Sequence, residues 1–254
     1  IKTAFAPHAP YTVSDEPLKR IQVLSSELEL NVHMHIHETA FEVDQAVKST
    51  GKRPIARLDE LGLISHTLQA VHATQLTDEE IDLLAIHNSS VIHCPESNMK
   101  LASGICPVKQ LTEAGVNVAL GTDSSSSNNN LDMFGEMQTA ALLAKISNMD
   151  ATALPAEQVL QMATINGARA LGMEDITGSL EIGKFADIVA VDFDTIEAVP
   201  VYDPISHLVY SCSREQVTDV WIAGKQRLTD RVLNTIDEKR LKQECLRISR
   251  KITN

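Results

Sequence analysis

His33-Met-His-Ile-His37 sets three imidazoles at alternate positions and follows them at once with Glu38-Thr39. In a strand, successive side chains point to opposite faces, so His33, His35 and His37 would share one face and Val32, Met34 and Ile36 the other. The apolar face can pack on helices. The imidazole face suits a metal; the alternative is a polar strand whose histidines are ordinary surface or core residues. Four more positions could join such chemistry: His8 in Ala-Pro-His-Ala-Pro-Tyr, His72 in Ala-Val-His-Ala, His93 in Val-Ile-His-Cys-Pro and Asp123 in Leu-Gly-Thr-Asp-Ser. Each alone has a plainer role: a stiff loop for His8, a satisfied core position for His72 and His93, a helix cap for Asp123.

The elements that would position them decide between these readings. Apolar runs at 1–6, 30–36, 67–72, 89–93 and 116–121 read as strands. Ser14-Asp-Glu-Pro17 marks a helix start, Thr77-Asp-Glu-Glu80 is a capping box, Gly115 stops a helix over 106–115, and further helices fall at 130–147 and 155–171. Strand–helix alternation implies a parallel sheet with crossover helices. In a parallel barrel the catalytic side chains stand at the C-terminal strand ends. His8, the 35–38 segment, His72, His93 and Asp123 all fall just there. The chain has nine histidines, so this joint placement carries more weight than any one residue. His and carboxylate donors suit zinc or iron. His66 and His87 read as surface residues and His207 as structural.

Bulk properties narrow the partners. With 22 basic against 34 acidic residues and no basic run, nucleic acid is an unsuitable partner. Four cysteines without CxxC spacing (Cys94, Cys106, Cys212, Cys245) read as reduced thiols of a cytoplasmic protein. No apolar run reaches membrane-span length. After Gly172 the pattern changes. Residues 178–192 read as a turn and a buried strand, 217–228 as a hairpin turning near Ala223-Gly224, and the tail from Asp237 as a charged amphipathic helix. Ser124-Ser-Ser-Ser-Asn-Asn-Asn130 would pass, in isolation, for a linker.

Taken together, the motifs resemble the amidohydrolase superfamily. His35-Ile-His-Glu-Thr39, Ala70-Val-His-Ala73, Val91-Ile-His-Cys-Pro-Glu-Ser-Asn-Met-Lys-Leu101 and Leu120-Gly-Thr-Asp123 are similar to its strand-five, -six, -seven and -eight motifs. Asn166-Gly-Ala-Arg-Ala-Leu-Gly172 and Gly178-Ser-Leu-Glu-Ile-Gly-Lys-Phe-Ala-Asp-Ile-Val189 resemble its return into a small β-sandwich. Within the superfamily the likeness is strongest to the methylthioadenosine/S-adenosylhomocysteine deaminases; triazine and chlorohydrolase enzymes share much of it. The resemblance implies an α/β fold, a (β/α)8 barrel with strands 4–8 present and strands 1–3 absent. On that register Ile1 opens strand four, and the His-x-His ligand pair of strand one lies outside this sequence.

The expected domains are 1–177 (barrel part), 178–236 (part of the β-sandwich) and 237–254 (helix). The resemblance further implies one divalent metal per subunit, zinc first and iron second, held by His35 and Asp123. It assigns catalysis to Glu38, His72 and Asp123, and substrate contacts to His8, Glu38, His93 and Asn129. His37 would point inward without being a ligand. The implied activity is hydrolytic deamination of a small purine nucleoside by a homo-oligomer. The alternatives are a sibling hydrolase of guanine, cytosine or triazines, and a non-catalytic half-barrel that only binds or assembles.

Overall fold

The computed structural model describes residues 2–252. Its central feature is a parallel sheet of β1 (Val32–Ile36), β2 (Leu68–His72), β3 (Ser90–His93) and β4 (Asn117–Leu120), hydrogen-bonded in chain order. Each lies within an expected strand. The expected strand 1–6 is reduced to one parallel bridge between Phe5 and Val32, and Pro7, which has no N–H, cannot carry the ladder past it; Ile1 lies outside the described residues. The same edge still extends to His8, whose carbonyl accepts from the His35 N–H at 3.1 Å.

Helices α1 (Asp15–Leu28), α2 (Ala40–Thr50), α3 (Pro54–Glu60), α4 (Asp78–Ile86), α5 (Pro95–Lys100) and α6 (Val108–Glu113) connect these strands. Val32, Met34 and Ile36 of β1 are at most 1% exposed and join Leu18, Ile55 and Leu58 of the neighbouring helices in one core. The apolar half of the β1 alternation therefore behaves as its spacing implies. Thr77 caps α4 with the full reciprocal box: its side chain accepts from the Glu80 N–H, and the Glu80 carboxylate accepts from the Thr77 N–H.

Beyond β4 lie α7 (Met133–Asn148), α8 (Ala156–Met162) and α9 (Ile165–Ala170). The single helix expected over 155–171 is broken at Thr164, whose hydroxyl bonds back to the Leu160 carbonyl at 2.6 Å. The break turns α9 across the N-terminal ends of the strands. There Asn31 and Gln69 donate to the Ala170 carbonyl, Asn117 donates to the Asn166 carbonyl, and Asn166 donates to the Val118 carbonyl. One end of the sheet is thus closed by amide hydrogen bonds, and the other is left for chemistry.

The second sheet is antiparallel, with β5 (Ile188–Val191), β6 (Val217–Ile222), β7 (Lys225–Thr229) and β8 (Val232–Leu233) in that order. Ala223 and Gly224 form the expected hairpin turn with φ of 48° and 74°, the left-handed pair that matches strand twist. Two expectations differ. The strand in 178–192 is not buried, since Val189 is 55% exposed. And the region is not all β: α10 (Pro204–Tyr210), capped by Asp203, packs against α7 and α8. His207 therefore sits on a helix, where Nε2–H donates to the Ala198 carbonyl at 2.9 Å. The final helix α11 (Glu238–Ile252) has no buried residue; Thr253 and Asn254 of the expected tail lie outside the described residues. None of the described helices is long and apolar enough to cross a membrane.

Thr77→Ala is expected to cost about 1 kcal/mol of stability by removing the α4 cap, and Thr77→Ser to retain most of it. Urea midpoints of the two variants check this; equal midpoints for Thr77→Ala and the parent would contradict it.

Candidate metal centre and active site

His35 projects from β1 toward the C-terminal ends of the strands. Its Nδ1–H donates to the His8 carbonyl at 2.8 Å, which fixes the tautomer and leaves a lone pair on Nε2. His72 ends β2, and its ring stacks on that of His35 with centroids 5.3 Å apart. Nδ1 of His72 bonds Oδ1 of Asn98 at 2.8 Å. Asn98 Oδ1 can only accept, so on this assignment the proton is on Nδ1 and Nε2 again carries a lone pair. Asp123, three residues past β4, accepts from Ser97 at 2.7 Å and Ser127 at 2.6 Å, both through Oδ2. One donor atom each from His35, His72 and Asp123 lie within 4.8 Å of one another.

Burial works to raise the Asp123 carboxyl. The Ser127 and Ser97 hydroxyls, the Ser124 N–H and the nearby His72 outweigh it, so the pKa is lowered and the group is a carboxylate. Nε2 of His72 then faces Oδ2 of Asp123 at 4.0 Å and Oε2 of Glu38 at 3.9 Å. Electron pairs converging from His and carboxylate groups repel one another unless a cation or proton lies between them. The residues present therefore fit a divalent metal, and the donor set suits zinc or iron.

Glu38 follows the strand rather than lying on it. Its N–H donates to Glu42 at 2.8 Å, its carbonyl accepts from the Thr74 hydroxyl at 2.7 Å, and its Oε1 accepts from Ser103 at 3.3 Å. The chain reaches this position through a left-handed turn. His37, His72, Ala73 and Asp123 have φ of 54°, 73°, 49° and 60°, a region costly for residues with a Cβ and concentrated here at the strand ends.

That turn corrects the reading of the imidazole face. His37 leaves the face shared by His33 and His35 and is fully buried beside α3, where Nε2 accepts from the Ile55 N–H at 3.3 Å. Burial lowers its pKa to about 4. His33 lies at the far end of β1, bonded to Gln69 at 2.7 Å. His66 and His87 are exposed, as expected.

Among the remaining expected contact residues, His8 is exposed and sits edge-on to His35 at 5.1 Å. His93 is 1% exposed, with an unpartnered Nδ1. Burial, with His72 nearby, lowers its pKa to about 3. Asn129 is committed to its own loop: its Oδ1 accepts from Lys100 at 2.6 Å, and its Nδ2 donates to the Ser125 carbonyl at 3.1 Å. Neighbouring Asn128 faces inward and bridges Glu96 and Glu136. Sequence reasoning did not single out Ser97, Asn98, Ser103, Ser127 or Asn128. For Ser97 and Asn98 the signal was the stretch Pro95-Glu-Ser-Asn98, and for Ser127 and Asn128 the stretch Ser127-Asn-Asn-Asn-Leu-Asp-Met-Phe134, both similar to family motifs that do not by themselves show where their hydrogen bonds go; Ser103 had no such signal.

Burial pushes the Glu136 carboxyl up to about 7, with the negative Glu96 and Asp123 adding to it. From about pH 4.5 to about 7 the unfolded chain has lost a proton that the folded chain keeps. The stability this group contributes therefore falls as pH rises through that window and is flat above it. Relative to Glu136→Gln, the parent is expected to be less stable at pH 8 than at pH 5. Urea midpoints of both proteins at the two pH values check this, and an unchanged difference would contradict it.

The profile of the Amidohydrolase family matches residues 1–227. A 5-methylthioadenosine/S-adenosylhomocysteine deaminase of Teredinibacter turnerae is 51% identical over 241 residues, which is 95% of this chain and 54% of that protein. A 5'-deoxyadenosine deaminase of Methanothermobacter thermautotrophicus is 47% identical over 94% of this chain and 56% of its own. A crystal structure described as an adenosine deaminase from Xanthomonas campestris with bound zinc superposes with a TM-score of 0.98 at 52% identity, covering 99% of this chain and 57% of that one. The chain thus spans about half the length of the curated relatives it matches. A match across most of the sequence, joined to convergent His and Asp donors at parallel strand ends, makes this chain a member of the amidohydrolase family.

Proposed function

We propose that this chain is the catalytic C-terminal part of a metal-dependent hydrolytic deaminase of purine nucleosides, with 5'-methylthioadenosine and S-adenosylhomocysteine as the substrate class. The observation that carries the reading is the approach of Glu38 Oε2 and Asp123 Oδ2 to His72 Nε2, at 3.9 and 4.0 Å, beside the stacked His35 ring. Relatives named for this chemistry, at about half identity across nearly all of this chain, support it. On this reading the four-stranded parallel sheet and its Phe5 edge are strands 4–8 of a (β/α)8 barrel, and strands 1–3 belong to polypeptide outside this chain. Residues 1–177, 178–236 and 237–254 remain the proposed units, the second being part of a small β-sandwich. Exposed Leu180, Ile182, Phe185 and Val232 support a further layer over the second sheet.

His35 and Asp123 would hold the metal, zinc first, with the remaining ligands supplied from outside this chain. When bound, such a cation acts as a Lewis acid that brings the pKa of water toward neutrality. Glu38 takes a proton from the attacking water and delivers it to a ring nitrogen, which activates the adjacent C6. His72 hydrogen-bonds the nucleophile and steadies the charge that develops. Asp123 collects the second water proton and passes it to the departing amine. Water adds at C6, ammonia leaves, and adenine becomes hypoxanthine. His8, at the rim, would meet the ribose or its 5' substituent. Glu38, His93 and the loop bearing Asn129 complete the proposed substrate side.

Glu38→Gln in the full-length polypeptide is expected to retain metal and lose turnover by at least about a hundredfold, since it removes a proton carrier and no ligand. Metal content and ammonia release check this; near-parental turnover would exclude Glu38 as the acid–base group. Ammonia release is expected to be fastest with 5'-methylthioadenosine or S-adenosylhomocysteine. Preference for guanine, cytosine or a triazine would point to a sibling hydrolase, and no turnover of any of them by the metal-loaded protein to a binding module.

A further inference from the structure

One short stretch, residues 97–103, touches each of the three groups given a catalytic role above. Ser97 Oγ donates to Asp123 Oδ2 at 2.7 Å, Asn98 Oδ1 accepts from His72 Nδ1 at 2.8 Å, and Ser103 Oγ donates to Glu38 Oε1 at 3.3 Å. For His72 and Glu38 the held atom is the one turned away from the shared space. Nε2 and Oε2 stay free to face each other at 3.9 Å. Ser97, Asn98 and Ser103 are 0%, 1% and 4% exposed, so water does not compete for these bonds.

The stretch is itself held firmly. Gln75 Nε2 donates to the Ser103 carbonyl at 3.2 Å. Gly104 has φ of 142°, and a Cβ there would run into the Gln75 side chain and the Thr74 hydroxyl. Ala102 before it has φ of 53°. A turn with an alanine in the left-handed region and a glycine that admits no side chain is over-determined by its surroundings, and such strain persists where a group must be aimed. Here the aimed group is the Ser103 hydroxyl.

We infer that residues 97–103 form a single positioning element, in which Ser97, Asn98 and Ser103 set the orientations of Asp123, His72 and Glu38; the inference rests on the deaminase reading above. The contacts divide the labour. Ser97 supports a metal ligand, so its loss weakens metal binding. Ser103 supports only the proton carrier, so its loss slows turnover. A stretch that merely stabilises the fold would make no such distinction.

The test uses the full-length polypeptide and three variants, Ser97→Ala, Ser103→Ala and Ser103→Thr, with Glu38→Gln as reference. Zinc affinity is read by chelator competition, and kcat and KM at saturating zinc. Ser97→Ala is expected to lower zinc affinity about tenfold. Ser103→Ala is expected to lower kcat about tenfold, with KM and zinc affinity within about twofold of the parent, and Ser103→Thr to restore kcat by returning the hydroxyl. In the Glu38→Gln background, Ser103→Ala should slow the residual turnover no further. Parental kcat in Ser103→Ala, or a parallel loss of zinc affinity and thermal stability in both alanine variants, would overturn the inference. If Glu38→Gln itself turned over at the parental rate, the reaction reading would fall instead, so the two failures are distinct.

Discussion

Electron pairs from two imidazoles and a carboxylate crowd into one small space at the ends of the parallel strands. Their donor atoms lie within 4.8 Å of one another. While both imidazoles are neutral such a gathering is unfavourable, because each group has been partly removed from water and their electron pairs repel. A bound cation reverses the sign of the interaction. Much of the fold is accounted for by the need to bring these atoms together and keep them there.

Register comes first. Ile36 pairs with His72, and His93 with Leu120, so the strand ends stand level and the residues just beyond them emerge on one rim. The parallel ladder cannot by itself aim those residues, and left-handed turns at His37, His72, Ala73 and Asp123 do so. Hydrogen bonds nearby offset the cost of these turns. The Glu42 carboxylate takes the His37 and Glu38 N–H groups, and Thr74 takes their carbonyls, through its N–H and its hydroxyl respectively. Under His37, Arg53 and Glu80 form a bidentate pair at 2.7 and 2.8 Å. At the opposite end of the sheet, α9 satisfies the strand starts through side-chain amides. The chain thus separates a rigid closed end from a chemically loaded open one.

The sequence made the strands legible because their apolar runs are short, distinct and bounded by helix starts. The strand-end rule then picked out His35, His72 and Asp123 with no knowledge of their contacts. Three things were not legible. The fate of His37 depended on a turn at one residue, and period-two alternation assumes that the strand continues. The Thr164 break depended on where α9 had to go, which is a tertiary demand overriding a continuous helical pattern. The roles of Ser97, Asn98 and Ser103 depended on contacts across 26, 26 and 65 residues of chain, and small polar residues carry no periodic signal. Of the two adjacent amides, Asn129 looked available in sequence, yet Asn128 is the one turned inward, because Asn128 caps the loop through the Asn130 and Leu131 N–H groups.

The claim on which the whole account stands is that His35 and Asp123 share one cation. The most direct measurement is anomalous scattering at the zinc edge from crystals of the full-length polypeptide grown with zinc. The account expects one strong peak per subunit about 2.0–2.2 Å from Nε2 of His35 and from a carboxylate oxygen of Asp123. A peak bound elsewhere, or none at these two side chains under saturating zinc, would contradict it.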